Sequence, residues 1–390
     1  MLRLLVPMIL CSLALLAGST ASAGQRSEPL TVVSAVPPWL APGARLELDG
    51  SAEPQQQVQL LQDGRVMAAA TSDEDGQFSV SARLTTLGAH QLSLATDAGT
   101  LPLGRLTVRP VRIAAVGDIT PGEAVGPMVA SRGAAYPWRS VGRALTQADI
   151  TTANLEGAIS NRGTPAPDKQ YHFRGPVALL AGMRLHAGMD VLTLANNHTL
   201  DYGSVALYDT LAAAKKMRIL TVGAGRNAGA ARRPAYVSAG GLRFAFLGYS
   251  DVNPAGFVAT AYSPGTARAV SGAIEADVRA ARRHADIVVC WFHWGLEKVR
   301  EPNSAQIAFA EAALRGGAQL VLGAHPHVFG RIIRPTSTTL VAWTLGNFVF
   351  PAGSPETLRS GILISSLGAK GVTGYRVVPA TSGVQPRLGL

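Results

Sequence analysis

The chain has 390 residues, of which 47% are hydrophobic and 15% charged, a balance that provides for a buried core and excludes a disordered protein. Its length points to two or three domains. The formal net charge of +10 bears on partners rather than fold, and suits an anionic envelope polymer or lipid surface; an arginine-rich composition explains it equally well.

Met1-Leu2-Arg3 is a short basic start, and residues 4–16 are a nearly continuous apolar run. Ser19-Thr20-Ala21-Ser22-Ala23 follows, with small residues at the spacing that signal peptidase reads. Residues 1–23 therefore read as a cleaved export signal. The alternative is a retained anchor, but the run falls short of the roughly 20 residues a spanning helix needs, and Pro7 interrupts it. The expected location is the periplasm, the cell envelope or the exterior. Export disfavours nucleic acid as a partner, and no basic helix or aromatic platform of that kind is present. Of the two cysteines, Cys11 lies in the signal, so Cys290 is left without an internal disulfide partner. Set within Ile287-Val288-Val289-Cys290-Trp291, it reads as a packed thiol and not a nucleophile.

Residues 29–109 read as a run of short strands. Positions 45–48, 58–61, 77–80 and 90–94 alternate apolar and polar residues, and Asp63-Gly64, Asp75-Gly76 and Leu87-Gly88 mark turns between them. Evenly spaced strands without helices point to a small β-sandwich, and residues 58–80 resemble bacterial immunoglobulin-like modules. No cluster of chemically active residues falls in this stretch, so a spacer or binding accessory is expected. The pattern changes at Val108-Arg109-Pro110. From there to residue 378, apolar runs at 111–116, 191–195, 219–222, 244–247, 287–291 and 320–322 alternate with helical patterns at 177–187, 205–216, 274–283 and 305–315. That alternation predicts an α/β domain with buried sheets. The Pro- and Gly-containing tail, residues 379–390, is expected to be loose.

Residues able to bind metal repeatedly follow the apolar strands. They occur in Gly117-Asp118, Asn154-Leu155-Glu156-Gly157, Asn196-Asn197-His198, His293-Trp294-Gly295, His325-Pro326-His327 and Gly346-Asn347-Phe348. Ligand sites in α/β domains gather beyond the carboxyl ends of strands, so these six turns are expected to converge. A lone His is usually a satisfied core or surface residue, and Gly-Asp alone is only a turn. The set as a whole is different. A two-cation site needs carboxylates to neutralise and bridge, imidazoles to complete each shell, and room for water. Asp118, Glu156, Asn197, His293, His325 and His327 supply those donors. Arg174 is a candidate anion clamp, since a guanidinium forks onto carboxylate or phosphate; a surface arginine is the competing reading. Trp294 is a candidate pocket wall, with plain core as the alternative. Asn347 is a candidate polar contact in the pocket, Asp201 either orients His198 or caps the next helix, and His172 reads as a loop residue.

Ala115-Val116-Gly117-Asp118, Asn154-Leu155-Glu156-Gly157, the string Asn196-Asn197-His198-Thr199-Leu200-Asp201-Tyr202-Gly203, His293-Trp294-Gly295, Gly323-Ala324-His325-Pro326-His327 and Leu345-Gly346-Asn347-Phe348 are similar to the CapA family of poly-gamma-glutamate capsule synthesis proteins. That family is a branch of the calcineurin-like metallophosphoesterases. The resemblance covers residues 113–350 and implies a layered α/β/β/α domain, one or two divalent ions (Mn, Fe, Zn or Mg undistinguished), Asp118 as first ligand, Glu156 as the bridge, and Asn197, His293, His325 and His327 as further ligands. It implies that His198 is the outer imidazole that protonates a leaving group or steadies the transition state. The chain departs from the phosphoesterase pattern in having Thr120 where a His is usual and Glu156 where an Asp is usual. The implied function is an exported metal-dependent hydrolase of phosphoesters or amides, acting on an anionic envelope polymer such as poly-gamma-glutamate and alongside a membrane complex that makes it. The alternative is a non-catalytic assembly or export factor for that polymer.

Overall fold

The structure, a computed structural model, describes residues 29–351 and 353–389; the export signal read at residues 1–23 lies outside the described residues. The chain divides into two units. One comprises residues 47–82 and 90–106 with the residues up to 37, and the other comprises 38–46, 83–89 and everything from 107 onward.

The smaller unit is all β. Gln57–Gln62 and Arg65–Thr71 form an antiparallel hairpin through Asp63 and Gly64, both at positive φ, the conformation a two-residue hairpin turn requires. Val58 and Leu60, like Phe78 and Val80 of strand Gln77–Arg83, are buried while alternate positions are more exposed, the period of a half-buried strand. Its strands lie in small sheets, as the alternation predicted.

Residues 38–46 and 83–89, expected in this module, group with the main unit instead. The reason is local. Trp39 and Leu40 pair in parallel with Thr107 and Val108, the Arg109 guanidinium lies 3.6 Å over the Trp39 ring, and Ala41 N donates to Gly240 O at 2.8 Å.

In the main unit, β1 (Val111–Ile119), β2 (Ile150–Leu155), β3 (Val191–Thr193) and β4 (Leu220–Val222) run parallel. After β4 the chain enters a second sheet through β5 (Ala235–Ala239), β6 (Leu242–Ser250), β7 (Ile287–His293), β8 (Leu320–Ala324), β9 (Ile332–Ile333) and β10 (Leu340–Ala342), ordered β5-β6-β7-β8-β10-β9. It then returns through β11 (Asn347–Val349), which pairs parallel with β1, and the antiparallel pair β12 (Arg359–Gly368) and β13 (Gly371–Thr381), ending on β14 (Arg387–Leu388).

Helices α1 (Val125–Arg132), α2 (Val177–His186) and α3 (Gly203–Lys216) pack on the first sheet through Val129, Leu180, Met183 and Leu207. Helices α4 (Ser271–Arg282) and α5 (Ser304–Gly316) pack on the second through Ile274, Val278 and Ala313. The period of two along a strand decides which residue faces what. In β7, Val288, Cys290 and Phe292 join the α4 and α5 core, whereas Trp291 turns toward the other sheet and donates from Nε1 to Thr152 Oγ1 at 2.9 Å. Cys290 is fully buried, which pushes its thiol pKa up, in keeping with a packed and unreactive group.

Two features depart from expectation. The tail after residue 378 is not loose: β13 continues to Thr381, and Ala380 and Thr381 pair with Leu388 and Arg387. The hairpin of β12 and β13 carried no clear strand signal, because glycines and serines break its apolar run. It nevertheless lies against β1, with Leu363 opposite Ala115.

All five tryptophans belong to the main unit, so tryptophan fluorescence follows its unfolding alone. Leu40 is 3% exposed, and Leu40→Ala should lower the unfolding free energy by about 2–3 kcal/mol. Val66, 55% exposed on a module strand, should shift it by less than about 0.5 kcal/mol when changed to Ala. Equal shifts would show that residues 38–46 contribute nothing to the main core.

Candidate metal centre

Parallel strands present their carboxyl ends together, and both sheets use that edge. Asn154 of β2 and Asn347 of β11 both lie in register with Asp118 at the end of β1. Gly117 permits this approach: a Cβ there would lie 1.8 Å from Gly346 O, where Asp118 N donates to that same carbonyl at 2.8 Å. His293 closes β7, and His325 follows β8. The His325-Pro326-His327 turn is held in an unusual backbone, with φ of 96° at His325 and 59° at His327. Left-handed conformations cost non-glycine residues about 1–3 kcal/mol each and persist where surrounding structure imposes them, often at functional sites.

These turns converge. Ligand atoms of Glu156, His293 and His325 all lie within 4.8 Å of one another, and so do those of Asp118, Glu156 and His327. Glu156 belongs to both groups. Asn197 Oδ1 accepts from His293 Nε2 at 2.8 Å, which adds an amide oxygen to the first group. All six expected donors are thus brought into one cluster.

The cluster is deeply buried: Asp118, Glu156 and His293 are 0% exposed. Neither carboxylate oxygen of Glu156 makes a hydrogen bond among the described residues, and neither does Nδ1 of His325. A buried carboxylate without hydrogen bonds, its Oε1 only 3.5 Å from His293 Nε2, is costly unless it is protonated or bound to a cation. Burial, and then the Asp118 charge, push the Glu156 pKa well up. Burial also drives His293 down, and His325 down to about 4, with His327 adding to both effects. His327 behaves oppositely. Burial works against its charge, but Glu156 and Asp118 outweigh it and hold the imidazole at about 10. Three imidazoles, two carboxylates and an amide oxygen, gathered around buried acceptors that lack hydrogen bonds among the described residues, are the donor set a divalent cation takes, so the residues present fit the implied ions. Thr120, two residues after Asp118, is fully buried with Oγ1 accepting from Gly122 N, and the Asp118 side holds three donors against four on the other.

Second contacts orient the cluster. Asn154 Nδ2 donates to Asp118 Oδ1 at 2.8 Å and lies 3.3 Å from His293 Nδ1. Asn196 Nδ2 donates to Asn154 Oδ1 at 3.0 Å, and its own Oδ1 accepts from His198 N and Thr199 Oγ1. His198 stands beside the cluster. Its Nδ1 donates to Asp201 Oδ2 at 2.6 Å, and its ring stacks on Phe173 with centroids 4.1 Å apart. Burial lowers its pKa against the opposing pull of Asp201. Asp201 also accepts from Phe173 N at 2.7 Å and pairs with Lys169, which in turn donates to Asn197 O. Asp201 therefore orients His198 and does not cap α3, whose start has no side-chain cap.

The remaining three candidates lie around the cluster or outside it. Trp294 is fully buried, stacked on Phe292 at 4.5 Å, with Nε1 bonded to Trp343 O; it is core, and no pocket wall. Asn347 is 2% exposed and its Oδ1 accepts from His327 Nδ1 at 2.8 Å, so it contacts a candidate ligand imidazole, as a polar group behind the ligands would. The Arg174 guanidinium lies 4.0 Å over the Tyr202 ring and donates to Arg162 O, on a cavity away from the six donors and lined also by Ser160, Arg162 and Asp209. His172 is a loop residue bonded to Ala166 O. Lys169 and Phe173 were missed, since a lysine in an irregular loop carries no pattern. Asn154 and Asn196 stood inside recognised strings without a role.

A carboxylate shared by two groups of donors, at the meeting edges of two parallel-stranded sheets, defines the class: an α/β protein with a candidate two-cation site. The chain belongs to the family described as bacterial capsule synthesis protein PGA_cap, which matches residues 112–352. It is 32% identical over 269 residues to the PGA biosynthesis protein CapA of Bacillus subtilis (strain 168), covering 68% of this chain and 70% of that one. It is also 32% identical over 271 residues to the capsule biosynthesis protein CapA of Bacillus anthracis, covering 68% and 66%. Among solved structures, a phosphatase from Mycoplasma pneumoniae superposes with a TM-score of 0.43 at 15% identity, covering 70% of this chain and 94% of that one.

Because Glu156 has its folded pKa raised above the ordinary 4.5, its contribution to stability is present below that value and is lost as pH rises through the raised one. At pH 7, Glu156→Gln should therefore stabilise the metal-free protein by about 1–2 kcal/mol. It should also abolish the increase in melting temperature that Mn or Zn gives the wild type. Calorimetry with and without chelator checks both, and a metal-free variant less stable than wild type would contradict the reading.

Proposed function

We propose that the protein takes part in capsule or envelope polymer synthesis as a metal-dependent hydrolase, with an anionic polymer such as poly-gamma-glutamate as substrate. The relatives named for capsule and PGA biosynthesis support the setting. The single observation that supports chemistry is His198, held by Asp201 and Phe173 beside a complete donor cluster. Asp118, Glu156 and His327 would hold one cation, and Glu156, Asn197, His293 and His325 a second. Such ions supply Lewis acidity and neutralise charge at a phosphoester or amide. The chain's own residues do the rest. Asp201 fixes the Nδ1–H tautomer of His198, which leaves Nε2 to exchange a proton with the leaving group. Phe173 shields that ring from water, and Lys169 balances the buried Asp201 charge.

The β-module, read as immunoglobulin-like, would be an accessory, and export is part of the same proposal. One observation favours a second reading, a non-catalytic assembly factor: Thr120 leaves the Asp118 side short of an imidazole.

His198→Ala should retain bound metal and melting temperature yet lose turnover by roughly 10² to 10⁴, the usual worth of a positioned acid or base. Asp118→Ala should lose metal and turnover together. Metal content, melting temperature and hydrolysis of phosphoester and γ-glutamyl amide panels are compared in one buffer. Wild type without turnover, alongside variants that fail to support polymer export in cells, would favour the assembly role.

A further inference from the structure

Helix α3 carries Tyr208, Leu211 and Lys215, three and four residues apart and so on one face. Together with Thr221 of β4, and Arg226 and Arg233 from the segment that follows, they line a cavity of about 510 Å3, within the range of ligand pockets. Its charged lining is entirely cationic. Lys215, Arg226 and Arg233 are exposed and make no ion pair or side-chain hydrogen bond among the described residues. Nearby carboxylates are engaged elsewhere: Asp209 with Arg162 and Ser160, Asp277 with Arg232 and Tyr249, and Asp190 with Arg184. Three uncompensated cations around one concavity repel each other unless an anion sits among them. The position is also telling. β4 is the parallel neighbour of β3, so the cavity lies one strand across from the Asn196-Asn197-His198 turn.

We propose that this cavity is a second, non-catalytic anion site that grips consecutive carboxylates of a flexible acidic chain, apart from the metal centre. The proposal rests on the reading that the protein handles an anionic polymer. Two guanidiniums and an ammonium match carboxylate oxygens in fork and point-charge geometry. Phosphate shares that chemistry. Single-stranded nucleic acid requires successive stacking rings, and Tyr208 is the one aromatic ring in the lining.

The test uses the full chain and fluorescently labelled poly-γ-glutamate, with polyphosphate of matched charge and neutral polyglutamine as controls. Wild type should bind poly-γ-glutamate in preference to both controls, and more weakly as salt rises. The triple variant Lys215→Glu, Arg226→Glu, Arg233→Glu should lose at least about tenfold in affinity, since each exposed charged contact is modest but three are reversed together. Its melting temperature should fall only slightly, because none of the three side chains has an ion pair or side-chain hydrogen bond among the described residues and only Lys215, in the last turn of α3, favours the helix dipole. Lys215→Arg should bind like wild type. If the triple variant binds within twofold of wild type, the cavity is overturned while the polymer reading stands. If wild type binds polyphosphate but not poly-γ-glutamate, the carboxylate assignment is overturned. If wild type binds neither, both the cavity and the polymer reading fail.

Discussion

The Glu156 carboxylate is the constraint on which the rest depends. It is fully buried, its oxygens make no hydrogen bond among the described residues, and it lies at the point shared by two groups of donors. Left alone, such a group costs several kcal/mol or gives up its charge. The raised pKa of Glu156 and the raised pKa of His327, which Glu156 helps to sustain, are two responses to one problem: negative charge gathered where water does not reach. A divalent cation resolves it directly.

The scaffold accepts further cost to keep that arrangement. His325 and His327 both occupy left-handed backbone, and Asp118 is held by a backbone contact that tolerates no side chain at 117. Asn154 ties the end of the first sheet to His293 of the second, while Trp291 joins Thr152 of the first sheet two residues earlier along each strand. Each tie comes from a strand buried on both faces, where no solvent competes for the hydrogen bond. Rigid strands therefore set the donor positions, and the irregular segment carrying Lys169 and Phe173 completes the surroundings of His198.

Much of this was legible in the chain. Parallel strands buried on both sides appear as apolar runs, and polar donors directly after them mark the strand ends, which is why the six residues that converge could be picked out. What sequence could not show was side-chain direction. Trp294 follows a ligand histidine, yet its indole finds Trp343 O within the core, and Asn347 turns to His327. The grouping of residues 38–46 with the main unit depends on Trp39 meeting Arg109 across a long stretch of chain, which no local pattern records. The β12–β13 hairpin was hidden by glycines and serines that serve as strand because β1 offers a partner edge.

The most direct test of the central claim is a crystal structure of the full chain soaked in Mn, with anomalous difference density collected at the manganese edge. The account predicts two peaks, both within bonding distance of Glu156, one beside Asp118 and His327 and the other beside Asn197, His293 and His325. A single peak away from Glu156, or none at saturating Mn, would contradict it.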